Sequence, residues 1–185
     1  VININPFEVI LNAFKPFLDK EKPPINVMEV SNLWFYFAGS MSTLRNEEVA
    51  YNVIEDEELK EWFKDAIENL HKPIIQELKA FLDQESVPLP KIYSDFPSED
   101  YRSIPQGTKL TDEETANLMS YNLSLALKLG MRGITESIRP DIGFLYSRFI
   151  AREIAFSLSL KDLMQKRGWT QIPPAYYPTT EIKTQ

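Results

Sequence analysis

Residues 56–85 read DEELKEWFKDAIENLHKPIIQELKAFLDQE, and this stretch decides the architecture. Leu59, Phe63, Ala66, Leu70, Ile74, Leu78 and Phe81 recur at steps of three and four, with Trp62 and Ile67 beside them. That period is the apolar stripe of a long helix; the period-two alternation of a half-buried strand is absent. Asp56 suits the N-cap, and Glu57 and Glu58 suit the positive end of the helix dipole. Pro73 lies inside the stripe, where it lacks a backbone donor and crowds the preceding turn, so a bend or bulge is expected there. At 1.5 Å per residue such a helix is about 45 Å long.

Working outward, three more stretches have the same character. Over residues 26–54 the series Val30, Trp34, Phe37, Met41, Leu44 and Tyr51 predicts a bundle helix, with Glu48 in the same series. Thr111-Asp112-Glu113-Glu114 is a capping box opening a helix to about Glu136. Its polar residues gather on a strip of Asn117, Ser124, Lys128 and Thr135, so it is expected to be the most buried helix. Ile142, Tyr146, Phe149, Phe156, Leu160 and Leu163 predict a fourth helix from about Arg139 to Arg167, interrupted by Glu153 and closed by Gly168 in the left-handed conformation. Trp169 and Ile172 are expected to fold back onto the bundle. A shorter helix is expected from Pro6 to about Leu18. The expected organisation is an N-terminal helix and linker over 1–24, a four-helix bundle over 25–178 and a disordered tail over 179–185.

The turns after the first and third long helices are short, so each flanking pair is antiparallel. Between the second and third, residues 87–110 carry Pro88, Pro90, Pro97, Pro105 and Gly107. Extended chain reaches about 3.3 Å per residue, so this loop can run the length of the bundle. The third helix can then lie parallel to the second, which is the ferritin-like connection of an all-α four-helix bundle; up-down-up-down is the alternative.

With a net charge of −7, a pI near 4.9 and no dense Lys/Arg run, the chain lacks the basic face that nucleic acid or an anionic membrane requires. It has no cysteine, which excludes disulfides, thiolate metal sites and a cysteine nucleophile. No stretch has transmembrane length and the start shows no signal pattern.

Ferritin-like bundles often place a Glu on each of two helices and Glu-x-x-His on each of the other two around a pair of metal ions. Glu68-Asn69-Leu70-His71 is such a motif, but His71 is the sole histidine, so a second is impossible. The residues that remain as metal candidates are Glu68, His71 and Glu153, and no cofactor is expected. Height along the bundle places Glu153 near His71, and Glu48 about 12 Å away from it. Glu48 is expected to pair with Arg45 or to meet Asn117. The commonest setting for His71 is the edge of the stripe, against solvent or a carbonyl. Phe35 and Tyr36 point away from the apolar series and suggest an interaction surface, toward the first short helix or a second subunit, the latter most simply in a two-fold homodimer. Gly130 and Gly133 suit close helix approach. No Gly-x-Ser-x-Gly elbow or other catalytic constellation occurs, so no enzymatic activity is expected.

Lys22-Pro23-Pro24, Glu29-Val30, Asn32-Leu33-Trp34, Glu47-Glu48-Val49-Ala50, Phe81-Leu82 and Val87-Pro88-Leu89-Pro90 stand in an order with further matches downstream. These are Ile104-Pro105, Lys109 to Glu114, Gly168-Trp169 and Ile172-Pro173-Pro174. Together they resemble a Bacillus family of unknown function, DUF3231, whose members carry the name "putative spore coat protein" and which is related to the coat protein F group. The resemblance covers roughly residues 8–178. It implies a ferritin-like bundle, a structural or interaction role in a spore-associated or coat-like component, and a cytoplasmic or spore-associated location, possible partners being other spore proteins. It supplies no catalytic residues. The alternative functions are a vestigial ferritin-like metal-binding protein or a small-ligand binder.

Overall fold

The structure, a computed structural model, describes residues 8, 9, 12, 22–92 and 94–176. The helix expected over 6–18 falls outside them apart from Glu8, Val9 and Asn12, which are helical and exposed; the tail expected over 179–185 falls wholly outside them. The described elements are α1 (Val27–Tyr51), α2 (Glu57–Asp65), a π-helical segment (Ala66–His71), α3 (Lys72–Gln84), α4 (Asp112–Glu136) and α5 (Pro140–Arg167), with 3-10 turns at Tyr101–Ser103 and Gln106–Thr108. No strand occurs among the described residues.

Caps fix both ends of the bundle. Asn26 accepts from Met28 and Glu29 while one Glu29 oxygen returns to the Asn26 N–H, a capping box invisible to apolar periodicity. The other Glu29 oxygen accepts the backbone N–H groups of Ile138 and Arg139, both at 2.8 Å, and so ties the start of α1 to the α4–α5 turn. Arg139 grips Glu85 with two hydrogen bonds of 2.7 and 2.8 Å, bringing the end of α3 to the same place. At the opposite end Asp112 accepts from the backbone of Glu55 and Asp56, at 3.0 and 2.7 Å, and Arg167 reaches Asp56 and Glu58.

These contacts settle the topology. The start of α4 meets the turn that begins α2, and its end meets the end of α3. The third long rod therefore runs parallel to the second, and the loop from Glu85 to Thr111 crosses the bundle as expected. The loop is pinned along α1, where Trp34 donates to the Pro88 carbonyl, Arg45 to that of Ser94 and Asn52 to that of Pro97.

One expectation about burial fails and another holds only in part. The helix expected to be most buried, α4, exposes Leu118, Tyr121, Leu125 and Met131, whereas α5 buries eleven residues. Apart from the strip of Asn117, Ser124, Lys128 and Thr135, apolar residues occupy most of the circumference of α4, and only one side can face the core. The end of the chain is mixed. Trp169 packs on the core and its carbonyl accepts from Asn117 at 3.0 Å, but Ile172 is 80% exposed. Gly168 adopts φ +73 as expected.

Close approach of α4 and α5 depends on Gly133. A Cβ there would lie 2.3–2.6 Å from three ring atoms of Tyr146, which is wholly buried. Gly133→Ala is expected to lower stability by about 1–3 kcal/mol, outweighing its roughly 1 kcal/mol gain in helix propensity. Gly39→Ala, where nothing lies within 4 Å, is expected to stabilise slightly. Urea unfolding followed by circular dichroism distinguishes the two signs.

Candidate functional site

Pro73 and the residues before it shape the site. Across Ala66–His71 the rod widens into a π-turn, and the Lys72 N–H bonds to the Ile67 carbonyl five residues back. Such a turn takes up a residue without advancing the stripe. Adjacent pairs therefore both go inward: Ala66 with Ile67, Leu70 with His71 and Ile74 with Ile75. The bulge expected at Pro73 thus lies on its N-terminal side and carries His71 into the core. His71 is 1% exposed, not at the solvent edge of the stripe.

The imidazole stands between two buried carboxylates. Nδ1 lies 2.9 Å from Glu47 Oε1 on α1, and Nε2 lies 3.8 Å from Glu153 Oε1 on α5. Both glutamates are 0% exposed. The Nδ1 contact is short but not aligned as a hydrogen bond, and both oxygens of each glutamate lack an aligned partner. The Tyr36 hydroxyl approaches Glu153, and its ring packs edge-on to Tyr146 and stacked on Phe149.

Burial dominates the electrostatics. It pushes the Glu153 carboxyl up to about 7, with the Glu47 charge adding and His71 and Tyr36 opposing. It raises Glu47 as well, against the pull of His71. For His71 burial favours the neutral ring, but Glu47 and then Glu153 outweigh it and hold the pKa above its ordinary value. Burial, then Glu153, keeps the Tyr36 phenol protonated well above its usual range.

The structure brings His71 and Glu153 together and leaves Glu68 outside. Glu68 pairs at the surface with Lys72 at 2.8 Å. Glu48 pairs with Arg45 at 3.1 Å, while Asn117 bonds the carbonyls of Glu113 and Trp169. Phe35 is 62% exposed, but Tyr36 is buried at 2%, which corrects its assignment to an interaction surface. The inward face of α1 is Leu33, Tyr36, Phe37, Ser40 and Glu47, one residue before much of the expected series. Ser40 and Glu47 are polar, so this second run at helical spacing reads from sequence as outward-facing. Height counting also treats side chains as points, whereas glutamate and histidine reach along the axis.

The paired-metal donor set does not fit. Glu68 is outside, His71 is the sole histidine, and α5 has Phe156 three residues after Glu153. Among the described residues no three His, Asp or Glu side chains converge to hold an ion.

Four long helical rods with a crossing second connection and a buried Glu–His–Glu layer define a ferritin-like bundle with an altered core. The chain belongs to the DUF3231 family, described as "Protein of unknown function", whose model matches residues 14–182. It is 26% identical over 153 residues to the uncharacterized protein YvdQ of Bacillus subtilis strain 168, covering 83% of this chain and 89% of that one. Its fold matches the crystal structure of a "putative spore coat protein" (BH2358) from Bacillus halodurans C-125 with TM-score 0.80 and 25% identity, covering 84% of this chain and 97% of that one. A two-domain protein of Anabaena variabilis ATCC 29413, containing DJ-1/ThiJ/PfpI-like and ferritin-like domains, matches with TM-score 0.61 and 14% identity, over 83% of this chain and 40% of that one. Among the described residues, no helix is long and apolar enough to cross a membrane.

Proposed function

We propose that this chain is a structural protein of the spore surface that assembles through the outer face of α1 and α4. The observation that carries the reading is an apolar stripe on that face. Leu118, Tyr121 and Leu125 of α4 are 45–66% exposed, and Phe35 and Val49 of α1 are 62% and 44% exposed. On α1 this face carries Phe35, Gly39, Ser42, Asn46 and Val49, apolar at its two ends and small or polar between them. Likeness to the Bacillus halodurans protein supports the spore setting. A two-fold pairing is the simplest closed arrangement, because one self-complementary patch suffices.

Light scattering and coat extraction from sporulating cells test this together. The wild-type chain is expected to be dimeric and to fractionate with the coat. Leu125→Lys with Tyr121→Lys is expected to be a folded monomer, lost from that fraction. A wild-type chain that stays monomeric at high concentration contradicts the reading.

A further inference from the structure

The buried layer has a gap on one side of the histidine. Glu47 approaches Nδ1, as a carboxylate does when it orients a metal-bound imidazole from behind. Nε2 is left facing Glu153 across 3.8 Å, too long for a hydrogen bond. Two ligands of one ion, each about 2.1 Å from it, can stand at that separation. The Glu153 oxygens and the Tyr36 hydroxyl are buried and lack aligned partners, which is costly for polar groups in a core. A cavity of about 190 Å³ between α1 and α4 is lined by Tyr36 and His71 together with Ser40, Asn46 and Asn122. Its lining includes two of the three donors, Tyr36 and His71, so water in it can approach the site from their side.

We propose that His71 Nε2, Glu153 and the Tyr36 hydroxyl hold a single divalent first-row transition-metal ion, with Glu47 fixing the imidazole and water from the cavity completing the shell. A nitrogen with two oxygens suits zinc or iron(II) better than magnesium or calcium, which take oxygen ligands throughout. The donors differ from the paired-metal set: Glu68 takes no part, and a tyrosine on α1 does. The ligands point inward, away from the assembly stripe, but the cavity opens on that stripe through Gly39, Ser42, Asn46 and Leu125, so binding is measured both in the wild-type chain and in the Leu125→Lys, Tyr121→Lys chain.

The test uses the full chain, stripped with chelator and titrated with cobalt(II) by visible absorption and with zinc(II) by calorimetry. One ion per chain is expected, with the ligand-field bands of low-symmetry cobalt. Glu153→Gln is expected to weaken binding at least tenfold and Glu47→Gln about 10–100-fold. Tyr36→Phe is expected to shift the cobalt bands, and Glu68→Gln to leave binding unchanged. Helicity and reversible melting of each variant, measured without metal, separate lost ligands from lost folding. Absence of binding, two ions per chain, or equal affinity in a folded Glu153→Gln chain overturns the proposal, and unchanged bands in Tyr36→Phe remove that ligand.

Discussion

Replacing His71 by alanine is expected to cost about 3–5 kcal/mol of stability at pH 6.5, among the largest single-residue effects outside the apolar core. The reason is what remains behind. Glu47 and Glu153 are fully buried, their oxygens have no other aligned partners, and the imidazole lies between them. In chelator-treated protein the imidazole separates the two carboxylates, and without it they face each other in the core. The compensating variant separates loss of charge from loss of packing: His71→Leu with Glu47→Gln and Glu153→Gln is expected to recover most of the stability. Urea unfolding of the single and triple variants measures both. A loss below about 1 kcal/mol for His71→Ala would mean that the ring does not offset the carboxylates.

The second large effect is in the pH profile of ion-free protein. Glu153 is raised to about 7 in the folded chain from an ordinary 4.5. A raised carboxyl stabilises the fold fully below 4.5, and that contribution falls away as pH rises toward 7, because the unfolded chain ionises first. At about 1.4 kcal/mol per pKa unit the loss is on the order of 3 kcal/mol. His71 and Glu47, both raised, act in the same direction, His71 from 6.5 upward and Glu47 from 4.5 upward. Asp56 and Asp141 oppose this only in acid: their carboxyls are held down, by the Arg167 hydrogen bond and by Arg139 with Lys22 against burial, so their contribution disappears as pH falls below about 3.8. Stability is therefore expected to peak in mild acid and to decline through neutrality. Glu153→Gln should flatten the decline between 4.5 and 7. Equal slopes in both proteins would remove Glu153 as its source.

Much of the fold is legible in the sequence because long rods carry redundant signals. The stripe of residues 56–85, the Thr111–Glu114 box, Gly168 and the Pro-rich crossing each indicate the same bundle. The site is only half legible. Glu153 interrupts an otherwise apolar series and His71 is unique, so both stand out, and height along the rods brings them together. Glu47 does not stand out, because it follows Ser40 on a face that looks polar beside the Trp34–Phe37–Met41 run. Tyr36 reads as outward-facing through the same one-residue offset. The π-turn is the deeper reason that the burial of His71 is hidden: ideal 3.6-residue geometry leaves it at the stripe's edge, and only the widened turn before Pro73 brings two adjacent residues inward. The exposure of α4 is masked by its own composition, since a helix apolar over most of its circumference does not announce which side the core takes.

His71 is the only histidine, so its ring gives a single, unambiguous set of long-range nitrogen–proton correlations in a labelled sample. In chelator-treated protein the ring is expected to titrate above the ordinary value of 6.5, because Glu47 and Glu153 outweigh its burial. That titration is expected to move downward in Glu47→Gln and in Glu153→Gln alike. A ring that is neutral at pH 6.5 and indifferent to both substitutions would contradict a histidine held charged between two buried carboxylates.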